Sequence, residues 1–483
     1  MFPSRPSQPP RLLRPRLWWL FLLLFSILLA ACGGSNASPN GSSTFNTLDN
    51  GQPGAGGQNT PTRTSLLAVP MPQTRTDCPS PALSGRAPVI RGLTLGKDPT
   101  VAYINNQGTA NSPNSFGELK LYDTVKGASN ANSKVIFGKS VLVHIPNALI
   151  IEAQLSANGQ WLLFVTQALG ASEIQMVRVD GQGLQTLYCA PPGTVHSLQW
   201  SPDASRFIFS QEAVSGLWNL YLFDMTTGVV QPELVQSNNA TLGYEARTWF
   251  DNARVYVVGV PNPASPVPSR GLFALDISRG SNQHPSNLVQ IIKPSQSASC
   301  RSFDSDYNTT LLISSQCNQT FPSGSGDTGV LSGPSSIVVQ GVTGGGQHTI
   351  YTSQTQAVTQ VRMLGYSSNS LLLTVNNLDP TSGPSPSAQN GLWKMNTDSS
   401  GLTSLFRADN FSECELNQFS QYPWANLSLD NSMYALSEQA VLSKSQDISL
   451  LVGPLNGDQS RSVTFEDVSS NLGTLAIVGW TSL

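Results

Sequence analysis

The sequence predicts an all-β chain, a single β-propeller of about seven four-stranded blades, running from Ala87 to Leu483; six or eight blades also suit copies this degenerate. Three observations predict it. From Ala87 onward the texture is short apolar runs separated by turn residues, and it does not change. One unit recurs: Trp200-Ser201-Pro202-Asp203, then Phe207-Ile208-Phe209, then Leu217 to Asp224 and a turn at Thr227-Gly228. Its third strand is apolar on both faces, with Trp218, Leu220 and Leu222 on one and Tyr221 and Phe223 on the other. That excludes a sheet with one wet face and suits a small sheet packed between two neighbours.

Ahead of the ring stand two other segments. Arg5, Arg11, Arg14 and Arg16 precede an apolar run from Leu17 to Ala31, and no Asp or Glu occurs before it. This is the layout of an export signal. The run is short of the roughly 17 apolar residues that a spanning helix needs, and Gly33-Gly34 stops it at once. Leu29-Ala30-Ala31-Cys32 resembles the lipobox of bacterial lipoproteins. The resemblance implies cleavage between Ala31 and Cys32 and a covalent lipid on the Cys32 thiol. It places the product in the cell envelope, on the outer membrane or the outer face of the cytoplasmic membrane. Gly33 is not the Asp that retains many such proteins at the inner membrane, which favours the outer one. The signal is then residues 1–31, and residues 32–86 form a tether of mostly Gly, Ser, Asn, Thr, Pro and Gln, too poor in apolar surface to fold alone. About 45 such residues have a typical reach of roughly 35–40 Å.

Residues 87–483 supply the blades. Within the unit, Pro202 presets its own φ and Asp203 can bond nearby amides, so Ser-Pro-Asp makes the turn into the return strand. Ser156-Ala157-Asn158-Gly159-Gln160 before Trp161, Asp304-Ser305-Asp306 before Leu311, and Ser428-Leu429-Asp430 before Met433 repeat it. Return strands are expected at Val101, Trp161, Phe207, Val255, Leu311, Leu371 and Met433, spaced by roughly 45–65 residues. Third strands echo at Leu119–Asp123, Gly271–Asp276 and Gly391–Asn396. The Trp200–Asp224 unit resembles the repeat of TolB-like propellers, relatives of the WD-repeat class. The resemblance implies a fold and little about function. TolB has a small α/β domain ahead of its propeller where this chain has only the tether, so no role in the Tol-Pal envelope system is implied. Trp480 and Ser482 approximate Trp200 and Ser201, as though the last strand opens a blade that the N-terminal segment finishes.

With Cys32 taken for lipid, five cysteines remain. Cys300 and Cys317 flank one turn and stand where a cross-strand disulfide would form. Closure of the ring would let Cys78 meet Cys414. Formal net charge is −3, and about −7 once the four arginines before Cys32 are gone, which leaves no footprint for nucleic acid.

Chemical motifs are missing. The four histidines are scattered, no metal-ligand spacing occurs, and there is no G-x-S-x-G elbow. Asp304-Ser305-Asp306 starts like a calcium loop but lacks its Gly and Glu. No cofactor is expected beyond the lipid. Trp249, Trp393 and Trp424 are candidates for a ligand face, or else blade packing. Inserts at Pro261–Ser269, Pro322–Ser336 and Asp379–Gln389 would decorate such a face. These readings favour a monomeric ring that binds a protein or glycan at the envelope, not an enzyme. The alternative is a lactonase or glycan-active hydrolase in the channel, which would need carboxylates or histidines converging from several blades; no such set is evident in the sequence.

Overall fold

The computed structural model describes residues 77–79 and 85–483, except 110–111, 129–137, 192, 214, 237–239, 262–270, 279–287, 294–298, 307–309, 321–329, 365–368, 380–382, 384, 386, 410–411, 417–424, 441–446 and 470–471. The signal, Cys32 and the tether up to residue 76 lie outside the described residues, as does Trp424.

Strands β1 (Pro99–Gln107), β2 (Phe116–Asp123) and β3 (Lys139–Pro146) come first. Blade 2 follows as β4 (Leu149–Leu155), β5 (Trp161–Ala168), β6 (Ala171–Arg178) and β7 (Gln185–Cys189). Blade 3 is β8 (Val195–Trp200), β9 (Arg206–Glu212), β10 (Trp218–Asp224) and β11 (Val230–Leu234). Blade 4 is β12 (Leu242–Trp249), β13 (Arg254–Pro261), β14 (Leu272–Asp276) and β15 (Leu288–Ile292). Blade 5 is β16 (Ser299–Ser305), β17 (Leu311–Thr320), β18 (Val330–Gly341) and β19 (His348–Ser353). Blade 6 is β20 (Val358–Met363), β21 (Ser370–Val375), β22 (Gly391–Asn396) and β23 (Thr403–Arg407). Blade 7 is β24 (Ser412–Glu415), β25 (Met433–Ala440), β26 (Asp447–Pro454) and β27 (Val463–Ser469). The last strand, β28 (Gly473–Ser482), returns to β1, so blade 1 has the order β28-β1-β2-β3.

The ring therefore has seven antiparallel four-stranded blades, and both chain ends of the propeller meet in one of them. Trp480 faces Val101 and Thr481 faces Thr100 across that seam. Among the described residues, helix is confined to Thr124–Ala128 and a 3-10 turn at Gln459–Arg461. None is long and apolar enough to cross a membrane.

The recurring turn has one chemistry. Ser201 Oγ accepts from Arg206 N at 3.0 Å, and Asp203 Oδ1 accepts from Ser205 N at 3.0 Å. Ser156 and Asn158 do the same for Trp161 and Gln160 at 3.0 and 3.2 Å. Ser428 and Asp430 do it for Met433 and Ser432 at 3.0 and 3.1 Å. In blade 5 the carboxylate of Asp306 replaces the serine, accepting from Thr310 N and Leu311 N at 2.6 Å each. The would-be calcium ligand is thus a turn cap, while Asp304 and Ser305 belong to β16.

Between blades the faces are apolar. Tyr122 of blade 1 stacks on Phe465 of blade 7 with centroids 4.5 Å apart, within one core that also holds the blade 3 cross-strand pair Phe207 and Phe223 and Trp161, Trp200 and Trp480. Burial of aliphatic and aromatic side chains between the thin sheets supplies much of the cohesion.

Two sequence expectations need correction here. Cys78 does not meet Cys414. It pairs with Cys189, with Cα atoms 5.8 Å apart, and Cys414 is a buried free thiol. The reason is the path of the incoming segment, which lies along blade 2, where Arg86 N donates to Leu187 O at 2.8 Å. Cys300 and Cys317 stand in register on β16 and β17 and are joined, with Cα atoms 5.1 Å apart. The second correction concerns the insert Pro322–Ser336. From Val330 onward it is strand, because β17 and β18 extend into a long hairpin that pairs Thr320 with Val330. Residues 262–269, 322–329, 380–382, 384 and 386 of the inserts lie outside the described residues.

Candidate functional site

The first strand of each sheet (β4, β8, β12, β16, β20, β24 and β28) lines the inside of the ring, and polar side chains stitch several of these blades to the next. Of these, β4, β8, β12, β20 and β28 bulge, and a bulge frees backbone N–H groups from the ladder. Glu152 on β4 takes two of them, from Ser197 and Leu198 on β8, at 2.7 Å each. Ser302 Oγ on β16 accepts from Val361 N on β20 at 3.3 Å, and Asp304 Oδ2 accepts from Met363 N at 2.8 Å. Gln360 Oε1 accepts from Leu416 N at 2.7 Å, and Asn376 Oδ1 from Cys414 N at 2.8 Å. These bonds hold the channel walls in fixed register.

Inside those walls lies a cavity of about 420 Å³. Ser197 reaches it from blade 3, Glu245 and Arg247 from blade 4, Arg301 and Ser302 from blade 5, Thr359 and Gln360 from blade 6, and Glu413 and Glu415 from blade 7. Carboxylates and guanidiniums from different blades therefore do converge, contrary to the sequence reading. Burial, and then Glu415 beside it, push the Glu413 carboxyl up to about 7. Glu415 is wetted by the cavity yet surrounded by protein, and burial raises its carboxyl too. Next to the cavity, Asp304 and Arg362 are both buried. Burial lifts Asp304 to about 6 against the pull of Arg362 and Arg247, and lowers the Arg362 guanidinium. His196 on β8 is lowered by burial, with Glu245 and Glu212 opposing.

The sequence did carry a signal for this set. Glu245-Ala246-Arg247 and Glu413-Cys414-Glu415 each open a blade with charges two apart, and a buried residue between them. On the regular β24 that spacing puts both charges on one face, while on β12 a bulge between Ala246 and Thr248 interrupts it.

The aromatic candidates fare differently. Trp249 is 1% exposed, donates Nε1–H to Gln199 O at 3.0 Å, and lies under the Arg206 guanidinium. Trp393 is 9% exposed and donates to Gln389 O at 3.1 Å. Both are blade packing, not a ligand face. Among the described residues, one grouping of three metal-type ligands occurs, Cys78, Glu173 and Cys189, and its thiols are spent in the disulfide.

No protein-family model and no curated protein matches this chain. It is similar to the solved structure of TolB from Acinetobacter baumannii, at 13% identity and a TM-score of 0.42, over 78% of this chain and 82% of that one. It is similar to an oligogalacturonate lyase in complex with manganese, at 13% identity and a TM-score of 0.39, over 66% of this chain and 72% of that one. It is also similar to prolyl oligopeptidase B from Galerina marginata, at 9% identity and a TM-score of 0.47, over 78% of this chain and 52% of that one. This chain thus spans about half the length of the last. None of these similarities bears on what the chain binds.

Proposed function

We propose that this chain is a lipid-anchored, extracytoplasmic binding propeller that takes a small, strongly polar ligand at the channel cavity. The observation that carries the reading is the meeting there of Glu245, Arg247, Glu413 and Glu415 on walls held by blade-to-blade hydrogen bonds. A preformed cavity with converging polar groups is where a ligand gains orientation at small reorganisation cost. Glycan arrays and capture from envelope extracts are the experiments that find the ligand. With that ligand in hand, Glu413→Gln should weaken binding by at least about tenfold, the worth of one charge-assisted hydrogen bond. Unchanged binding would move the site out of the channel and into the loops.

A second reading, a channel-sited hydrolase, is favoured by the Glu413 carboxyl near 7, where it can give up a proton at neutral pH. Turnover of a glycan, lactone or peptide that Glu413→Gln abolishes would establish that reading over the first.

The anchor rests on Leu29-Ala30-Ala31-Cys32 and the polar residues after it. Cys32→Ser should leave the precursor uncleaved by the lipoprotein peptidase and without incorporated fatty acid, and release the protein from the membrane fraction. Lipid labelling equal to the parent's would refute the anchor and leave the channel proposal standing.

A further inference from the structure

We propose a second binding site in the cleft between blades 4 and 5, for a small hydroxyl-rich anion. The two faces of blade 5 are built differently. Toward blade 6, Ile313, Ile337 and Val339 pack on Val358 and Val361. Toward blade 4 the apolar part is smaller, with Phe303, Leu312 and Val342 against Tyr256, Val258 and Leu272, and Val338 beside the cleft. Beyond it the register puts Arg301, Ser314, Gln316, Ser336 and Gln340 on one face, since Arg301 pairs with Gln316, Gln316 with Ser336, and Leu312 with Gln340. Between this face and β15 lies a cavity of about 360 Å³, closed on the other side by Ile291, Ile292 and Lys293.

Polar groups at a blade interface cost stability unless they are met. Gln340 is 4% exposed, lines the cavity, and its amide nitrogen has no hydrogen-bond partner. The Arg301 guanidinium is aimed along the cleft by Lys293 O at 3.2 Å and Gln316 Oε1 at 3.5 Å. Arg301 and Lys293 supply positive charge, and among the described residues that line the cleft there is no Asp or Glu. Serine hydroxyls and glutamine amides supply donors and acceptors for ligand hydroxyls. The volume suits a molecule the size of a six-carbon hydroxy acid. The channel cavity has a different character, with three glutamates on its walls.

The test is calorimetric titration of the full chain with gluconate, and with sorbitol as the uncharged counterpart. Gluconate should bind with one site and at least about tenfold more tightly than sorbitol. Gln340→Leu should weaken gluconate binding by at least about tenfold while leaving the melting temperature of the ligand-free protein equal or higher, because it removes an unmet buried amide. Lys293→Gln, at an exposed position, provides a second arm that does not touch the core, and should weaken gluconate without altering sorbitol. Glu413→Gln, in the channel, should leave the gluconate titration unchanged. Absence of gluconate binding, binding indifferent to Gln340 and Lys293, or binding lost only with Glu413 would each overturn the proposal.

Discussion

Removing Leu475 to Trp480 should abolish the cooperative melt of the whole ring, not merely that of blade 1. These residues are the middle of β28, and they pair with β1 from Asn105 to Val101. Without them β1 keeps one neighbour, the inner edge of blade 1 opens, and the seam that closes the ring is lost. The loss in packing is also large. Trp480 is fully buried in the core that joins it to Tyr103, Phe465 and the aromatics of blades 2 and 3. Truncating a buried Trp to Ala costs about 3–5 kcal/mol, and a domain's whole stability is about 5–15 kcal/mol. Trp480→Ala alone should therefore fold but melt well below the parent, and the deletion should show no native near-ultraviolet circular dichroism. A deletion protein with the parent's melting curve would mean that the ring closes without β28.

The ring is legible in the sequence because its second strands are buried on both faces. The return strands expected at Val101, Trp161, Phe207, Val255, Leu311, Leu371 and Met433 are β1, β5, β9, β13, β17, β21 and β25, one in every blade. The closing role of Trp480 is legible for the same reason: it copies the residue that ends β8. The channel is legible only in part, since Glu413 and Glu415 lie on the regular strand β24 while Glu245 and Arg247 lie on the bulged β12. A bulge between Ala246 and Thr248 resets which side chains of β12 point inward, and a two-residue period counted from either end of that strand misplaces Arg247. Trp249 and Trp393 mislead in the opposite sense. Large aromatics look available for ligands in a sequence until packing in the ring covers them. The partner of Cys78 depends on where the segment before β1 lies, and no local pattern encodes that path.

Glu152→Gln is the substitution that separates the two forces acting on the blade-to-blade stitches, and it should destabilise the ring by about 2–3 kcal/mol at acid pH. The bulge in β8 falls between His196 and Gln199, where Ser197 adopts φ of +57°, so the amides of Ser197 and Leu198 are left out of the ladder with β9. Both oxygens of Glu152 accept from them. A carboxyl can accept on each oxygen whether or not it is ionised, whereas a glutamine amide has one acceptor and would set its NH₂ against the other N–H. Against this works burial, which pushes the Glu152 carboxyl up to about 8 despite the two backbone donors. The folded protein then holds that proton more tightly than the unfolded chain, whose carboxyl titrates near the ordinary value of about 4.3. From there up to about pH 8 the unfolded state binds fewer protons, so this position makes the parent less stable as pH rises. The Gln variant has no such slope. Chemical denaturation of both proteins across that range should show the parent's advantage of about 2–3 kcal/mol at the acid end, shrinking as pH rises and reversing before pH 8, since a shift of this size is worth about 1.4 kcal/mol per pH unit. An advantage that stays constant, or grows with pH, would mean that Glu152 is ionised in the folded ring throughout and that its two amide bonds outweigh the cost of burying the charge.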